Sequence, residues 1–115
     1  MKPTHVFAGI PVRNLATAAD WYERLFGRPP DMRPAEHEVV WRLTDTGLVY
    51  VVVDPARAGH GLITLIVDDL DPLLAALEQR AIAAEAMEHL DTARKVTVID
   101  PDGNRIALGE LTPGG

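Results

Sequence analysis

Apolar and polar positions along this 115-residue chain follow two alternating patterns, and the whole pattern occurs twice. Residues 5–12, "HVFAGIPV", mix β-branched and aromatic side chains and read as a strand. The apolar positions then widen to helical spacing, with Leu15, Ala18, Ala19, Tyr22, Leu25 and Phe26 on one face. Asn14 is placed to cap that helix and Gly27 to close it. Residues 28–38 are Pro-rich and polar, which predicts a loop with a short edge strand. "VVWRLTDTGLVYVVVD", 39–54, reads as a hairpin turning at Asp45-Thr46-Gly47, and 55–60 as a linker.

The pattern then restarts. "GLITLIV", 61–67, reads as a strand, and Asp71-Pro72 as the cap and first position of a second helix. Its apolar stripe is Leu70, Leu73, Leu74, Leu77 and Ala81. "KVTVIDPDGNRIALGEL", 95–111, reads as a hairpin around Asp100-Pro101-Asp102-Gly103, where proline presets φ and glycine accepts a positive one. Phe7, Val12 and Leu15 meet counterparts 55 positions later in Leu62, Val67 and Leu70, and Gly47 is answered by Gly103 after 56. One strand–helix–strands unit therefore occurs twice, as module 1 (about 1–54) and module 2 (about 61–115) of a single 1–115 domain. A curved sheet with one face under its helix has a second face that needs cover. Two such units, mixed sheets in an α+β fold, imply a shared concave cavity suited to a ligand.

Composition narrows the function classes. With 47% hydrophobic and 24% charged residues the chain can build an ordinary core. The formal charge of −6 argues against a nucleic-acid partner, which needs clustered positive charge. The absence of cysteine excludes disulfides, thiolate chemistry and a Cys-type zinc site. No leader is expected, because no long apolar run precedes Asn14, and no stretch approaches the ~20 apolar residues of a membrane span. A cytoplasmic protein with no membrane partner is the expectation.

Three stretches carry a family resemblance: "IPVRNLATAADWYERLFG" (10–27), "VDDLDPLLAALEQR" (67–80) and "DPDGNRIAL" (100–108). In this order and spacing the chain resembles the vicinal oxygen chelate superfamily of glyoxalases, extradiol dioxygenases, fosfomycin-resistance enzymes and bleomycin-resistance proteins. The resemblance implies paired βαβββ modules, a homodimer, and in many members a divalent metal held by His, Gln and Glu. Those ligands come from the first and last strand of each module. Carried over by position they fall on Phe7 and Leu62, on Ala107 four residues after Gly103, and, by the same step from Gly47, on Val51. All four are apolar and supply no donor atom to a dication. No metal and no cofactor is therefore expected.

His5 and His60 each precede a ligand position by two residues, so strand alternation could turn them towards the same cavity as Phe7 and Leu62. With Arg105 they would make a polar edge suited to an anionic or hydrogen-bonding ligand; the alternative is two solvent-exposed histidines at strand ends. Trp41 is read either as a stacking surface or as a core residue. His37 and His89 are assigned no role, and the acidic Asp68, Asp69 and Asp71 are read as helix-start residues. The expected function is binding of a small aromatic or amphipathic molecule, as in the bleomycin-resistance branch. Its candidate site is His5, Phe7, Trp41, Val51, His60, Leu62, Arg105 and Ala107. The alternatives are a metal-dependent lyase or dioxygenase using an atypical His5/His60 site, and an interaction domain without a small ligand.

Overall fold

The computed structural model describes residues 1–112. It has the expected α+β architecture of two βαβββ units; the last three positions assigned to module 2, 113–115, lie outside the described residues. In the first unit, β1 (Val6–Val12) leads into α1 (Leu15–Phe26), followed by β2 (Met32–Ala35), β3 (Glu38–Arg42) and β4 (Gly47–Val53). In the second, β5 (Leu62–Ile66) leads into α2 (Leu70–Gln79), then β6 (Glu88–His89), β7 (Ala93–Ile99) and β8 (Arg105–Leu111). The sheets have the orders β1-β4-β3-β2 and β5-β8-β7-β6, so each first strand lies at an edge and pairs parallel to the last. The two four-stranded sheets do not join into a closed barrel.

Helix α1 forms as its sequence dictates. Asn14 Oδ1 accepts the Thr17 N–H at 2.9 Å, and Gly27, at φ 78°, donates its N–H back to Glu23. The face between these caps buries Ala18, Trp21, Tyr22 and Leu25. Helix α2 corrects the expectation in register. It begins at Leu70 with Asp69 as the cap residue, which places Asp71 and Pro72 inside the first turn. Asp69 makes no capping bond; the Leu70 N–H donates instead to Glu110 Oε1 on β8 at 2.8 Å. The fully buried Leu70 explains the earlier start, since it anchors the helix in the core. Ala81 leaves the stripe because the helix ends at Gln79, and it sits exposed at φ 60°.

One face of each sheet meets its helix, and both faces feed one continuous core. Ile10, Val39, Trp41 and Val51 contribute to it from the first sheet, and Val96, Val98, Ile106 and Leu108 from the second. The units are joined by a buried polar cluster at the Asp100–Gly103 turn. Asp100 Oδ1 accepts the N–H groups of Asp102 and Asn104, and Oδ2 accepts the Tyr22 hydroxyl (2.7 Å) and Asn104 Nδ2 (2.8 Å). Asn104, fully buried, also donates to the Pro11 carbonyl and accepts the Gly61 N–H. Burial, then the Asp100 carboxylate, pushes the Tyr22 hydroxyl far above its ordinary value, so it acts as a donor throughout the accessible pH range. Residues 55–59 form a turn in which Gly59, at φ 87°, lies so close to the Asp102 carbonyl that a Cβ would stand 2.6 Å from that oxygen. Arg24 and Arg80 complete the junction by each donating to the other's carbonyl at 3.1 Å, at the two helix C-termini.

Two expectations follow. Asn104→Ala strips partners from Pro11, Gly61 and Asp100 at once and should lower unfolding stability by about 2–4 kcal/mol in urea titrations. Arg13→Ala removes only an exposed pair to Asp102 and should cost under about 1 kcal/mol. Glu110 behaves differently with pH: the Arg94 guanidinium, and then the Leu70 N–H, hold its carboxyl below the usual range. That stabilisation is present above the ordinary glutamate value of about 4.3 and is lost as pH falls through the depressed one. Glu110→Gln should therefore melt below the parent at neutral pH, with the gap closing on acidification.

Candidate binding face

Strand register decides which residues can meet a ligand. In the first sheet Ile10 opposes Val51 and Trp41 opposes Val49, all on the helix-covered face. The opposite, open face carries Phe7 beside Leu48, Gly9 beside Tyr50, Pro11 beside Val52, and Val40 beside Tyr50. In the second sheet the open face carries Leu62 beside Arg105, Thr64 beside Ala107, Thr97 beside Ala107, and Ile99 beside Arg105.

The eight candidate residues separate accordingly. Phe7, Leu62, Arg105 and Ala107 stand on open faces, as expected from alternation. Val51 does not; it is fully buried under α1. The counting step from Gly47 fails because β4 begins at Gly47 itself, whereas β8 begins two residues after Gly103. A slip of one residue turns a strand position to the other face. By register the counterpart of Ala107 is Tyr50, 57 positions earlier, since Gly9–Tyr50 corresponds to Thr64–Ala107. Trp41 is likewise a core residue: it packs on Phe26 with ring centroids 5.3 Å apart, and its Nε1 donates to the Arg28 carbonyl at 2.9 Å.

His5 and His60 lie outside any strand, His5 ahead of β1 and His60 at the end of the 55–59 turn. Strand alternation therefore does not govern where they point. Both are exposed, and His5 Nδ1 is 3.0 Å from the Thr4 hydroxyl. Among the described residues no three His, Asp or Glu side chains come together as a metal-holding group. Of the four positions implied by resemblance and register, only Tyr50 has a side-chain oxygen, and a single phenol beside Phe, Leu and Ala is not a ligand set for a dication. The residues present do not fit the metal of the related enzymes.

Tyr50 is the residue that sequence reading missed. A Cβ built on Gly9 would lie 2.5 Å from Tyr50 Cζ and 2.6 Å from its hydroxyl, so the ring lies across the sheet over the space that Gly9 leaves. The signal was a glycine inside the apolar strand "HVFAGIPV", a mark of close approach. Around it the open faces hold six exposed large apolar residues, Phe7, Met32, Leu62, Ile66, Ile99 and Leu111. Large apolar side chains left exposed on a sheet face are candidates for an interaction or ligand surface. The acidic run near α2 has a structural role instead: Asp71 pairs with Arg94 at 2.9 Å, which lowers its pKa.

A family model for the Glyoxalase/Bleomycin resistance protein/Dioxygenase superfamily matches residues 2–108. The chain is 41% identical to a glyoxalase/bleomycin resistance protein from Catenulispora acidiphila DSM 44928, with 96% of this chain and 100% of that one covered and a TM-score of 0.90. It is 25% identical to TnmS3, an antibiotic binding protein from Streptomyces sp. CB03234, over 97% of this chain and 99% of that one, with a TM-score of 0.83. A bleomycin resistance determinant encoded on transposon Tn5 shares the fold at 20% identity, 94% and 98% coverage and a TM-score of 0.78. No curated protein sequence matches the chain significantly.

The Gly9–Tyr50 contact is open to a direct check. Gly9→Ala should force the Tyr50 ring off β1 and cost about 1–2 kcal/mol. In a Tyr50→Ala background the same change should cost under about 0.5 kcal/mol, a coupling readable in a denaturation double-mutant cycle.

Proposed function

The chain belongs to the glyoxalase/bleomycin resistance protein/dioxygenase superfamily, and we propose that it binds and sequesters a small aromatic or amphipathic molecule without metal chemistry. The observation that carries the reading is that Phe7, Leu62 and Ala107 supply no donor atom, and Tyr50 a single phenol oxygen, at the positions where the family resemblance implies metal ligands. A face so composed can still bind strongly, because burying apolar area contributes roughly 25 cal/mol per Å². Likeness to a protein described as antibiotic binding supports the same reading.

The site residues on this reading are Phe7, Tyr50, Leu62, Arg105 and Ala107, with the Leu48 and Val40 side chains completing the floor. Val40, Leu48 and Ala107 are already buried within the chain, but Phe7, Leu62 and Ile66 on the same faces are exposed and need cover. A homodimer would supply it by placing the open face of one copy against that of the other. The proposed state is thus two copies enclosing the ligand, with no nucleic-acid partner. No helix among the described residues is long and apolar enough to cross a membrane.

Protein dialysed against EDTA should enhance the fluorescence of N-phenyl-1-naphthylamine in a saturable way, unchanged by added zinc or manganese. Phe7→Asp and Tyr50→Asp should each weaken it about tenfold or more, the equivalent of about 1.4 kcal/mol. Light scattering should give twice the chain mass. Binding that is lost on dialysis and restored by one metal ion per chain would overturn the proposal.

A further inference from the structure

We infer that the ligand is an uncharged, planar aromatic carrying neutral hydroxyl or carbonyl groups. The inference rests on the binding function proposed above and adds the charge class of what is bound. Its basis is that the basic side chains of the second open face are already paired with carboxylates within the chain. Arg105 Nη2 donates to Glu85 Oε1 at 2.8 Å, and Lys95 Nζ lies 4.0 Å from Glu88. On the first sheet Glu38 and Arg42 stand on the same face of β3, either side of Val40, and Arg42 Nη1 donates to the Asp45 carbonyl at 2.8 Å. Arg42 and Glu38 form no ion pair with each other, but as one base and one acid they offset in sum, as Arg105 and Lys95 do against Glu85 and Glu88.

An anionic ligand would have to displace Glu85 or Glu88 from its partner. A cationic one would find its field cancelled by Arg42, Lys95 and Arg105. On the second face either charge would lose water without gaining a free counter-ion, an unfavourable exchange at an enclosed site. Between these charged rims the surface is neutral. Tyr50 lies across the first sheet, offering an aromatic ring for stacking. On the second, Thr64, Ala107 and Thr97 share one row across three strands. Thr64 is the exposed member and Thr97 and Ala107 are buried; a threonine hydroxyl both donates and accepts, so Thr64 suits a ligand hydroxyl or carbonyl.

Three probes separate the outcomes: neutral N-phenyl-1-naphthylamine, its anionic relative 8-anilino-1-naphthalenesulfonate, and cationic proflavine, each titrated by fluorescence at low and high salt. The neutral probe should bind about tenfold more tightly than either ion, with a Kd indifferent to salt. Glu85→Gln, which frees Arg105, should tighten the anionic probe about fivefold at low salt only. Tighter, salt-sensitive binding of either ion by the parent protein overturns the inference while leaving the binding function standing. An anion affinity unmoved by Glu85→Gln overturns the matching of Arg105 on which it is built. Failure of all three probes to bind overturns the proposed function itself, and the inference with it.

Discussion

The carboxylate of Asp100 is the point on which the rest of the molecule is hung. It is buried at the tip of the last hairpin, and four neutral donors satisfy it, among them a hydroxyl from the other unit. A buried carboxylate with fewer partners would be strongly unfavourable, so the turn, Asn104 and Tyr22 must assemble together or not at all. Asn104 extends the constraint by holding Pro11 at the end of β1 and Gly61 at the start of β5. The end of the first strand of one unit is thereby fixed against the start of the first strand of the other. The relative setting of the two sheets, and with it the disposition of their open faces, follows from one polar cluster in an otherwise apolar junction.

That cluster also shows how far the two units have diverged while keeping one plan. Asn14 caps α1 with its own side chain, whereas α2 is capped from outside by Glu110 on β8, itself held by Arg94. Gly27 closes α1 in the left-handed region; after α2 that region is occupied by Ala81, at some strain. Yet Arg24 and Arg80 still exchange carbonyl contacts as a matched pair. Equivalent backbone has been stabilised by different side chains, and the open faces differ in the same manner. One presents Phe7, Leu48 and Tyr50, and the other Thr64, Thr97 and a row of paired charges.

Much of this was legible in the sequence because it depends on local periodicity. The helices, the first strand and closing hairpin of each repeat, and the apolar character of Phe7, Leu62 and Ala107 follow from spacing and offset, whereas the sheet order and the short β6 do not. The failures come from a single-residue ambiguity. Gly47 and Gly103 look equivalent, but only one is itself the first residue of a strand, and so Val51 was placed on the wrong face and Tyr50 overlooked. Trp41, left open between stacking surface and core, is a core residue; a strand of "VVW" does not declare which side its helix covers. The Glu110 cap joins residues 40 apart and depends on a packing that no local pattern encodes. His5 and His60, read either as a cavity edge or as exposed residues at strand ends, are exposed: alternation is a property of paired strand, and pairing stops one residue short of His5 and two short of His60.

A fold that positions four side chains around a dication keeps its geometry when those side chains become apolar, because Asp100, Asn104 and the shared core set that geometry elsewhere. What changes is the physical basis of recognition. A metal site selects for charge and donor geometry. A floor of Phe7, Leu62 and Tyr50 selects for shape and apolar area instead, and the rim has then to avoid favouring ions that it no longer uses. On the proposed reading, the pairing of Arg105 with Glu85 would serve that end in this chain. It keeps a guanidinium near the floor for solubility and orientation while cancelling the field that would draw an unwanted anion into an apolar site. On the proposed binding role, the apolar floor and the paired charges of the rim would serve one requirement, that binding proceed without a buried net charge.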